Sequence, residues 1–225
     1  MNYKLNKRLL CAASFVEKGA SVADIGCDHA YLPIYLIKEN IARSVVACDI
    51  NEGPCETARE NIRRKGLSKV ISVRCTDGLC GIEDFAPDNI VICGMGGDLI
   101  FRIVSESEYT KSKKPLLILQ AMTKVSELRA SLLESGYDIV NEALVYDDRL
   151  YEVIVCRYDG TKREWNEVEL LTGRYAAKDE LYIQQLDKLI KQYAVIVDGK
   201  HKAGIDTVKE EKILEELQNE RNRVI

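Results

Sequence analysis

Two carboxylates and an imidazole crowd around one glycine near the start of this chain. Asp24, Asp28 and His29 flank Gly26 in the run Asp-Ile-Gly-Cys-Asp-His. Carboxylates attract cations and accept protons, and imidazole exchanges a proton near neutral pH. Because Asp28 would repel a phosphate group, the pattern favours a ligand that carries positive charge.

The neighbouring residues predict the elements that hold these side chains in place. The apolar run 22–25 predicts a short buried strand that ends at Gly26, where a turn begins. A helix is predicted over 31–38, and a second buried strand over 45–48 leads to Asp49. This order of strand, turn, helix and strand is typical of Rossmann-like units that bind adenosine cofactors. In such units the acid at the end of the second strand, here Asp49, binds the ribose hydroxyls.

The chemistry of the turn discriminates between two adenosine cofactors. A nicotinamide dinucleotide requires Gly-x-Gly-x-x-Gly, because its pyrophosphate rests on the helix N-terminus. Here Asp28 occupies that place, and Asp24 adds to the negative field. We therefore expect S-adenosylmethionine, which is cationic at its sulfur and at its amine. An ordinary βαβ unit without a ligand is the alternative.

Composition limits the remaining possibilities. With 225 residues the chain can bury one substantial core, and a net charge of −4 argues against a basic field over the whole surface. Eight scattered cysteines without a Cys-x-x-Cys pair, and only two histidines, argue against a metal site. No signal peptide or membrane-length apolar run is visible, so we expect a cytoplasmic protein with reduced thiols.

Two further turns follow predicted strands and belong to the same edge of the predicted sheet. Asp77 and Gly78 come after the run 70–75, and they either contact an adenine ring or form a plain Asp-Gly turn. The run 90–93 precedes a segment, 94–97, with three glycines in four positions. Such a backbone adopts unusual dihedrals or approaches a ligand closely. Because the carboxyl ends of parallel strands line the ligand crevice, we favour a site here.

The alternation of predicted strands and helices indicates an α/β fold. Five β/α units lead to two extended runs, 137–146 and 150–158. These runs predict an antiparallel hairpin at the edge of a mostly parallel sheet. We assign residues 1–160 to this domain.

The character of the sequence changes after position 160. Apolar residues at alternating steps of four and three predict an antiparallel helical hairpin over 161–225, with a break bracketed by Gly199 and Gly204. The hairpin is a substrate arm, a dimer contact or a brace for the sheet. We expect a monomer or a weak dimer.

Basic residues that can meet an anionic substrate occur in two places. Arg8 lies in a predicted N-terminal helix, where substrate contact and a solvated face are equal alternatives. Arg63 and Arg64 lie near the end of a helix predicted from 52 to about 65. They either bind phosphate or only compensate the helix dipole.

Three motifs give the sequence a family resemblance: residues 24–33, Gly-Met-Gly-Gly at 94–97, and Leu-Ile-Leu-Gln-Ala-Met at 117–122. With them the chain resembles the bacterial tRNA (adenine-N1)-methyltransferase family, which modifies the adenine at position 22 in the D-loop. The similarity covers about residues 3–158. It implies a Rossmann-like class I methyltransferase with an appended coiled-coil-like domain, S-adenosylmethionine as cofactor and tRNA as partner.

The resemblance also implies roles for individual residues. The expected cofactor contacts are Asp24, Gly26, Cys27, Asp28, His29, Asp49, Ile50, Asp77, Gly78, Gly94 and Met95. Asp28, and in second place Asp98, are the candidates for stabilising the methylated base or accepting its proton, while His29 and Tyr31 position that base. The expected substrate contacts are Arg8, Arg63, Arg64, Gly96 and Gly97.

Two positions depart from the family pattern. Cys27 stands where Ser or Thr is expected, and Ala121 where Pro is expected, but neither change removes a charge. A methyltransferase of small molecules or proteins, and a cofactor-binding protein without catalysis, are the alternatives. A nicotinamide oxidoreductase is disfavoured by the chemistry of the turn.

Overall fold

The apolar runs of the sequence form the strands of one seven-stranded sheet. The structure, a computed structural model, describes residues 5–224. The strands are β1 (Ala20–Ile25), β2 (Ala42–Asp49), β3 (Ile71–Cys75), β4 (Asn89–Gly96), β5 (Leu116–Thr123), β6 (Tyr137–Tyr146) and β7 (Leu150–Tyr158). Their order in the sheet is β3-β2-β1-β4-β5-β7-β6.

Parallel pairing joins the first five strands, and an antiparallel hairpin closes one edge. β1 pairs with β2 and β4, β2 with β3, and β4 with β5, all in parallel, whereas β7 is antiparallel to both β5 and β6. All six residues of β1 are buried, as expected for a parallel strand covered on both faces. The predicted mostly parallel sheet with an antiparallel edge hairpin is confirmed.

Helices cover both faces of the sheet and extend beyond it. They are α1 (Lys7–Ser14), α2 (Tyr31–Lys38), α3 (Glu52–Arg64), α4 (Gly97–Ser105), α5 (Glu108–Ser112), α6 (Val125–Glu134), α7 (Glu167–Thr172), α8 (Glu180–Lys202) and α9 (Val208–Arg223). Two apolar cores lie on opposite faces of the sheet. The strand order reverses between β1 and β4, and in open α/β sheets ligands bind at such a switch point.

The C-terminal helices form the predicted hairpin, with one correction and one addition. Tyr182 and Leu186 of α8 pack on Ile213 and Leu217 of α9. The prediction of a break bracketed by Gly199 was wrong: α8 runs through that residue, because one glycine costs a long helix only about 1 kcal/mol. The chain leaves the helix after Lys202. The short α7, which begins with a capping box, was not predicted. The division of the chain at position 160 stays a prediction.

Within residues 5–224, no helix has the length and apolar character needed to cross a membrane. The same part of the chain contains no cluster of His, Cys, Asp and Glu side chains that would hold a metal ion.

A buried ion network ties the edge hairpin to the C-terminal helices. Arg129 of α6, 1% exposed, donates to Glu142 of β6 at 2.6 Å and to Glu152 of β7 at 2.5 Å. Its third hydrogen bond, of 2.8 Å, goes to the carbonyl of Leu170 in α7. The second oxygen of Glu142 accepts from the amide of Tyr175, just beyond α7. One guanidinium therefore joins three elements.

Loss of the Arg129 charge should destabilise the protein strongly. Arg129→Met leaves two carboxylates without a cation, one of them fully buried, so we expect the free energy of unfolding to fall by about 3–5 kcal/mol. Urea denaturation measures the change. In the matched control, Arg59→Met, an exposed ion pair with Glu52 is broken and stability should stay close to wild type. Equal midpoints for the two variants would contradict the prediction.

Candidate active site

The side chains expected to do chemistry meet where β1, β2 and β4 end. In the parallel register Asp24 pairs with Ala47 on one side and with Val91 on the other. Asp24, Asp49 and Gly94 therefore lie at the same edge of the sheet, at the switch point of the strand order.

The turn after β1 is held against the end of β2 by hydrogen bonds. The amides of Gly26 and Cys27 both donate to the carbonyl of Cys48, at 2.8 and 2.9 Å. The amide of Asp28 donates to the carboxylate of Asp49 at 3.3 Å. Gly26, Asp28 and Ala30 all have positive φ. For residues other than glycine this costs of order 1–2 kcal/mol, and such strain clusters at functional sites.

Asp24 is a buried carboxylate without a cation. Its exposure is 5%, and within residues 5–224 its side chain forms no hydrogen bond or ion pair. Burial, and secondarily the charge of Asp49, raises its pKa to about 7. A positively charged ligand beside this carboxylate would remove the cost of ionising it. The carboxylates of Asp24 and Asp49 thus fit the cationic cofactor that is expected from the sequence.

The next polar group, His29, also has a free bonding position. Its Nε2 lies 3.5 Å from Oδ1 of Asp28, while Nδ1 is buried without a hydrogen-bond partner in the described part of the chain. Its ring centroid lies 5.4 Å from that of Tyr31, and its backbone carbonyl accepts a hydrogen bond from Nδ2 of the Asn61 side chain. An unsatisfied buried nitrogen at a cleft calls for a ligand or water partner.

A second glycine turn faces the first one across the site. Gly94 has φ +84°, and its amide donates to Oε1 of Gln120 at 3.2 Å. Arg8 donates to the same oxygen, and a Cβ at position 94 would lie 3.3 Å from its guanidinium. The methyl end of Met95 lies so close to Gly26 that a Cβ there would clash with it. The predicted neighbourhood of Arg8, Gly26, Gly94 and Met95 is thus present.

The glycine-rich segment differs from the predicted open loop in one respect. Met95 and Gly96 still pair with β5 after a register shift, so β4 ends three residues later than predicted. Gly97 is buried, and a Cβ there would clash with the carbonyl of Lys124. Close packing explains this glycine, and its role in substrate binding stays a prediction.

Asp98, the second candidate for a proton acceptor, is already paired. Its carboxylate binds the ammonium of Lys124, and this hydrogen bond raises the pKa of Lys124. Within residues 5–224 the Asp28 carboxylate has no lysine or arginine partner; the imidazole of His29 lies 3.5 Å away, and the Asp28 side chain is 68% exposed. The geometry therefore favours Asp28 over Asp98.

The turn after β3 adjoins the site through Asp49, whose carbonyl accepts from the amide of Thr76. Asp77 lies 3.5 Å from Arg102, and Gly78 has positive φ with Ile103 close to the place of a Cβ. A cavity of about 650 Å³ opens beside these residues, towards α4 and α5.

Ile50, directly after Asp49, is 60% exposed. It offers apolar surface at the mouth of the site, where an adenosine would have room to pack.

Two predicted substrate residues lie apart from this cluster. α3 begins beside Asp49 at the ligand edge and runs for 13 residues, so its far end lies roughly 20 Å away. Arg63 and Arg64 occupy that far end, and Arg63 bonds to Glu60 at 2.7 Å. Their contact with substrate stays a prediction.

Gln120 is the residue that sequence reasoning missed. It is fully buried, accepts from both Arg8 and the Gly94 amide, and donates to the carbonyl of Ala121. Its sequence signals were its place at the end of an apolar strand and in the motif at 117–122, neither of which indicated its partners.

The fold and this site define the chain as a methyltransferase of the Rossmann-like class, and residues 5–154 match the family model of a methyltransferase domain. The tRNA (adenine(22)-N(1))-methyltransferase of Bacillus subtilis (strain 168) is 35% identical over 182 residues, which cover 79% of this chain and 76% of the relative. The chain belongs to the family of tRNA (adenine(22)-N1)-methyltransferases.

Two solved structures support this assignment. A putative tRNA (m1A22) methyltransferase of Streptococcus pneumoniae, in complex with S-adenosyl-L-methionine, is similar with a TM-score of 0.83 and 29% identity, covering 95% of this chain and 99% of the other. The M. capricolum enzyme of this family, in complex with S-adenosyl-homocysteine, has a TM-score of 0.75 and 28% identity, covering 99% and 96%.

Crowding at Gly26 can be separated from backbone strain. Gly26→Ala and Gly19→Ala both place alanine at positive φ, and both should lose ~1 kcal/mol of stability. Only Gly26 faces Met95, whereas Gly19 faces open space. We therefore expect calorimetry to give about tenfold weaker binding of S-adenosylhomocysteine for Gly26→Ala. Unchanged affinity there, or an equal loss in Gly19→Ala, would contradict the prediction.

The raised pKa of Asp24 predicts a pH-dependent stability. In the folded chain the carboxyl keeps its proton up to about pH 7, whereas in the unfolded chain it ionises near pH 4. Its contribution to stability is therefore complete below about pH 4 and is lost as the pH rises through 7. Asp24→Asn, which cannot ionise, should be more stable than wild type at pH 8, with a smaller advantage at pH 5.

Urea denaturation at both pH values measures the effect. Asp88→Asn is the control of opposite sign, because hydrogen bonds from Ser21 lower the pKa of Asp88. This control should lose stability relative to wild type, and the loss should diminish as the pH falls through the folded-state pKa of Asp88. Parallel pH profiles for wild type and Asp24→Asn would refute the assignment of a neutral carboxyl.

Proposed function

We propose that this chain methylates N1 of the adenine at position 22 in the D-loop of tRNA, with S-adenosylmethionine as methyl donor, in the cytoplasm. The observation that carries the proposal is the buried, unpaired carboxylate of Asp24 at the head of a strained turn, in a chain of this family. The B. subtilis relative, whose name states this reaction, supports the substrate.

The residues present suit the parts of this cofactor. Asp24 would face its positively charged groups, Asp49 the ribose hydroxyls, and the Asp77–Gly78 turn the adenine ring. When bound, S-adenosylmethionine supplies a methyl group activated by attachment to a positively charged sulfur. The two glycine turns at Gly26 and Gly94 leave backbone space beside these carboxylates.

The chain's own task towards the substrate is positioning. Adenine N1 already carries a lone pair, so holding it in line with the methyl group can contribute roughly 7 kcal/mol. A base that is paired or stacked must first be turned out of the RNA. The rings of His29 and Tyr31, 5.4 Å apart, offer a surface for that base at the mouth of the site.

Asp28 would stabilise the charge that the base acquires. After methylation at N1 the adenine is cationic, and a nearby carboxylate stabilises it or accepts a proton from N6. Asp28 adopts φ +49°, which asparagine tolerates as well as aspartate does. Its substitution by asparagine therefore removes the charge while the turn is kept.

The direct test is transfer of a labelled methyl group to total tRNA, followed by mapping of the labelled nucleoside. The proposal requires 1-methyladenosine at position 22. Labelled protein or small molecules with unlabelled tRNA would make the chain a methyltransferase of another substrate. Tight cofactor binding without any labelled product would make it a binding protein.

Asp28→Asn should impair turnover far more than cofactor binding. We expect the single-turnover rate on tRNA to fall about a hundredfold, with the Kd for S-adenosylhomocysteine within about threefold of wild type. Asp98→Asn is the matched control and should have a much smaller effect, since Lys124 already neutralises that carboxylate. Turnover of Asp28→Asn near the wild-type rate would remove this residue from the mechanism.

A further inference from the structure

The turn of the β6–β7 hairpin lies at the same edge of the sheet as the candidate active site. β7 is antiparallel to β5, with Ile154 opposite Leu119, so the beginning of β7 lies beside the carboxyl end of β5. Arg149 is in this turn, and its Nη2 lies 3.9 Å from the sulfur of Met122 at the end of β5. The hairpin therefore adds a basic residue to the rim of the site.

Nearly all arginines of the chain are neutralised by carboxylates. Within residues 5–224, the arginines that form ion pairs are Arg43, Arg59, Arg63, Arg74, Arg102, Arg129, Arg157, Arg163, Arg174, Arg221 and Arg223. Those without an ion pair in this range are Arg8, Arg64 and Arg149. Two of these three belong to the rim of the candidate active site.

Arg8 and Arg149 converge on one aromatic ring. Their guanidinium carbons lie 5.6 and 5.0 Å from the ring centroid of Tyr151, within the range of cation–π contacts. Asp148 in the same turn accepts a hydrogen bond of 2.8 Å from the Tyr151 hydroxyl, which lowers its pKa, and the charge of Arg149 makes a smaller contribution in the same direction. Within residues 5–224 neither Arg8 nor Arg149 forms an ion pair, so their like charges repel each other across the ring and an anion between them is stabilised.

The position of this pair indicates which anion it receives. Arg8 touches Gly94 and shares Gln120 with its amide, so the pair adjoins the place where the target base would enter. Guanidinium groups match the oxygens of phosphate in a bidentate manner. Phosphates flank every base of an RNA chain, and a base that is turned out brings its own flanking phosphates to the rim.

We propose that Arg149 and Arg8, held on Tyr151, bind an RNA backbone phosphate next to the target adenine. This phosphate site, defined by these three residues, rests on the proposed function for the identity of the RNA. It assigns a role to the hairpin turn, which the cofactor site does not use.

Binding of unmodified tRNA to the full chain, measured over a series of KCl concentrations, tests the site. Arg149→Gln should weaken binding about tenfold and reduce the slope of log K against log salt by about 1, while the Kd for S-adenosylhomocysteine stays unchanged. Arg157→Gln is the matched control: it lies near the other end of β7 and pairs with Glu17 at 2.6 Å. We expect wild-type binding and slope for this control.

A neutral linkage in the RNA locates the contact. In tRNA with a single methylphosphonate on the 5′ or 3′ side of the target adenine, one of the two positions should weaken wild-type binding clearly more than it weakens Arg149→Gln, in which only the Arg8 contact to that phosphate is left. The phosphate site is refuted if, at both positions, the methylphosphonate weakens binding by wild type and by Arg149→Gln to the same extent. It is also refuted if Arg149→Gln binds tRNA as wild type does.

The outcome is separable from that of the proposed function, because binding is read without catalysis. If the slope of log K against log salt depends on Arg149 but no methyl group is transferred, the phosphate site is supported and the proposed reaction is refuted. If the chain methylates position 22 but Arg149→Gln binds tRNA as wild type does, the proposed reaction is supported and the phosphate site is refuted.

Discussion

A carboxylate buried without a cation is the constraint on which the site depends. Asp24 belongs to a strand whose six residues are all buried, and the residue itself is only 5% exposed. Its ionisation near neutral pH costs free energy that packing elsewhere must offset. A bound cation lowers that cost, so cofactor affinity and the stability of the free chain oppose each other at this residue. Substitutions that stabilise the free protein here are expected to weaken the site.

The hydrogen bonds of the turn preserve this negative character. In dinucleotide-binding folds the amides at the start of the helix point at a pyrophosphate. Here the amides of Gly26 and Cys27 are taken by the Cys48 carbonyl, and that of Asp28 by the Asp49 carboxylate. No donor of these three is left for an anionic ligand, and Asp28 adds a further negative charge. The same backbone path that serves diphosphates elsewhere thus suits a positively charged ligand in this chain.

The sequence was informative where burial alone determines structure and less so where neighbours do. Apolar runs predicted the central strands β1, β4 and β5, because parallel strands covered on both faces are apolar over most of their length. The helix break predicted at Gly199 was wrong, because the packing of a long helix outweighs the low helix propensity of one residue. The positive φ of Ala30 was not predicted. The role of Gln120 was not predicted either, because it depends on hydrogen bonds from Arg8 and Gly94, which are distant in sequence. The acids of the turn were found because their chemistry conflicts with an ordinary βαβ unit.

The net charge of this protein does not describe the charge at the candidate active site. A chain of −4 would be repelled by RNA if its charges were evenly spread. Most of its arginines are tied to carboxylates, and these pairs contribute little field beyond their surroundings. The potential that a substrate meets is therefore set by the few charges left over. At the candidate active site these are carboxylates inside, at Asp24 and Asp28, and the guanidinium groups of Arg8 and Arg149 at the rim. That arrangement suits the proposed binding of a cationic donor inside and of a polyanionic acceptor at the rim, although the chain as a whole carries a net negative charge.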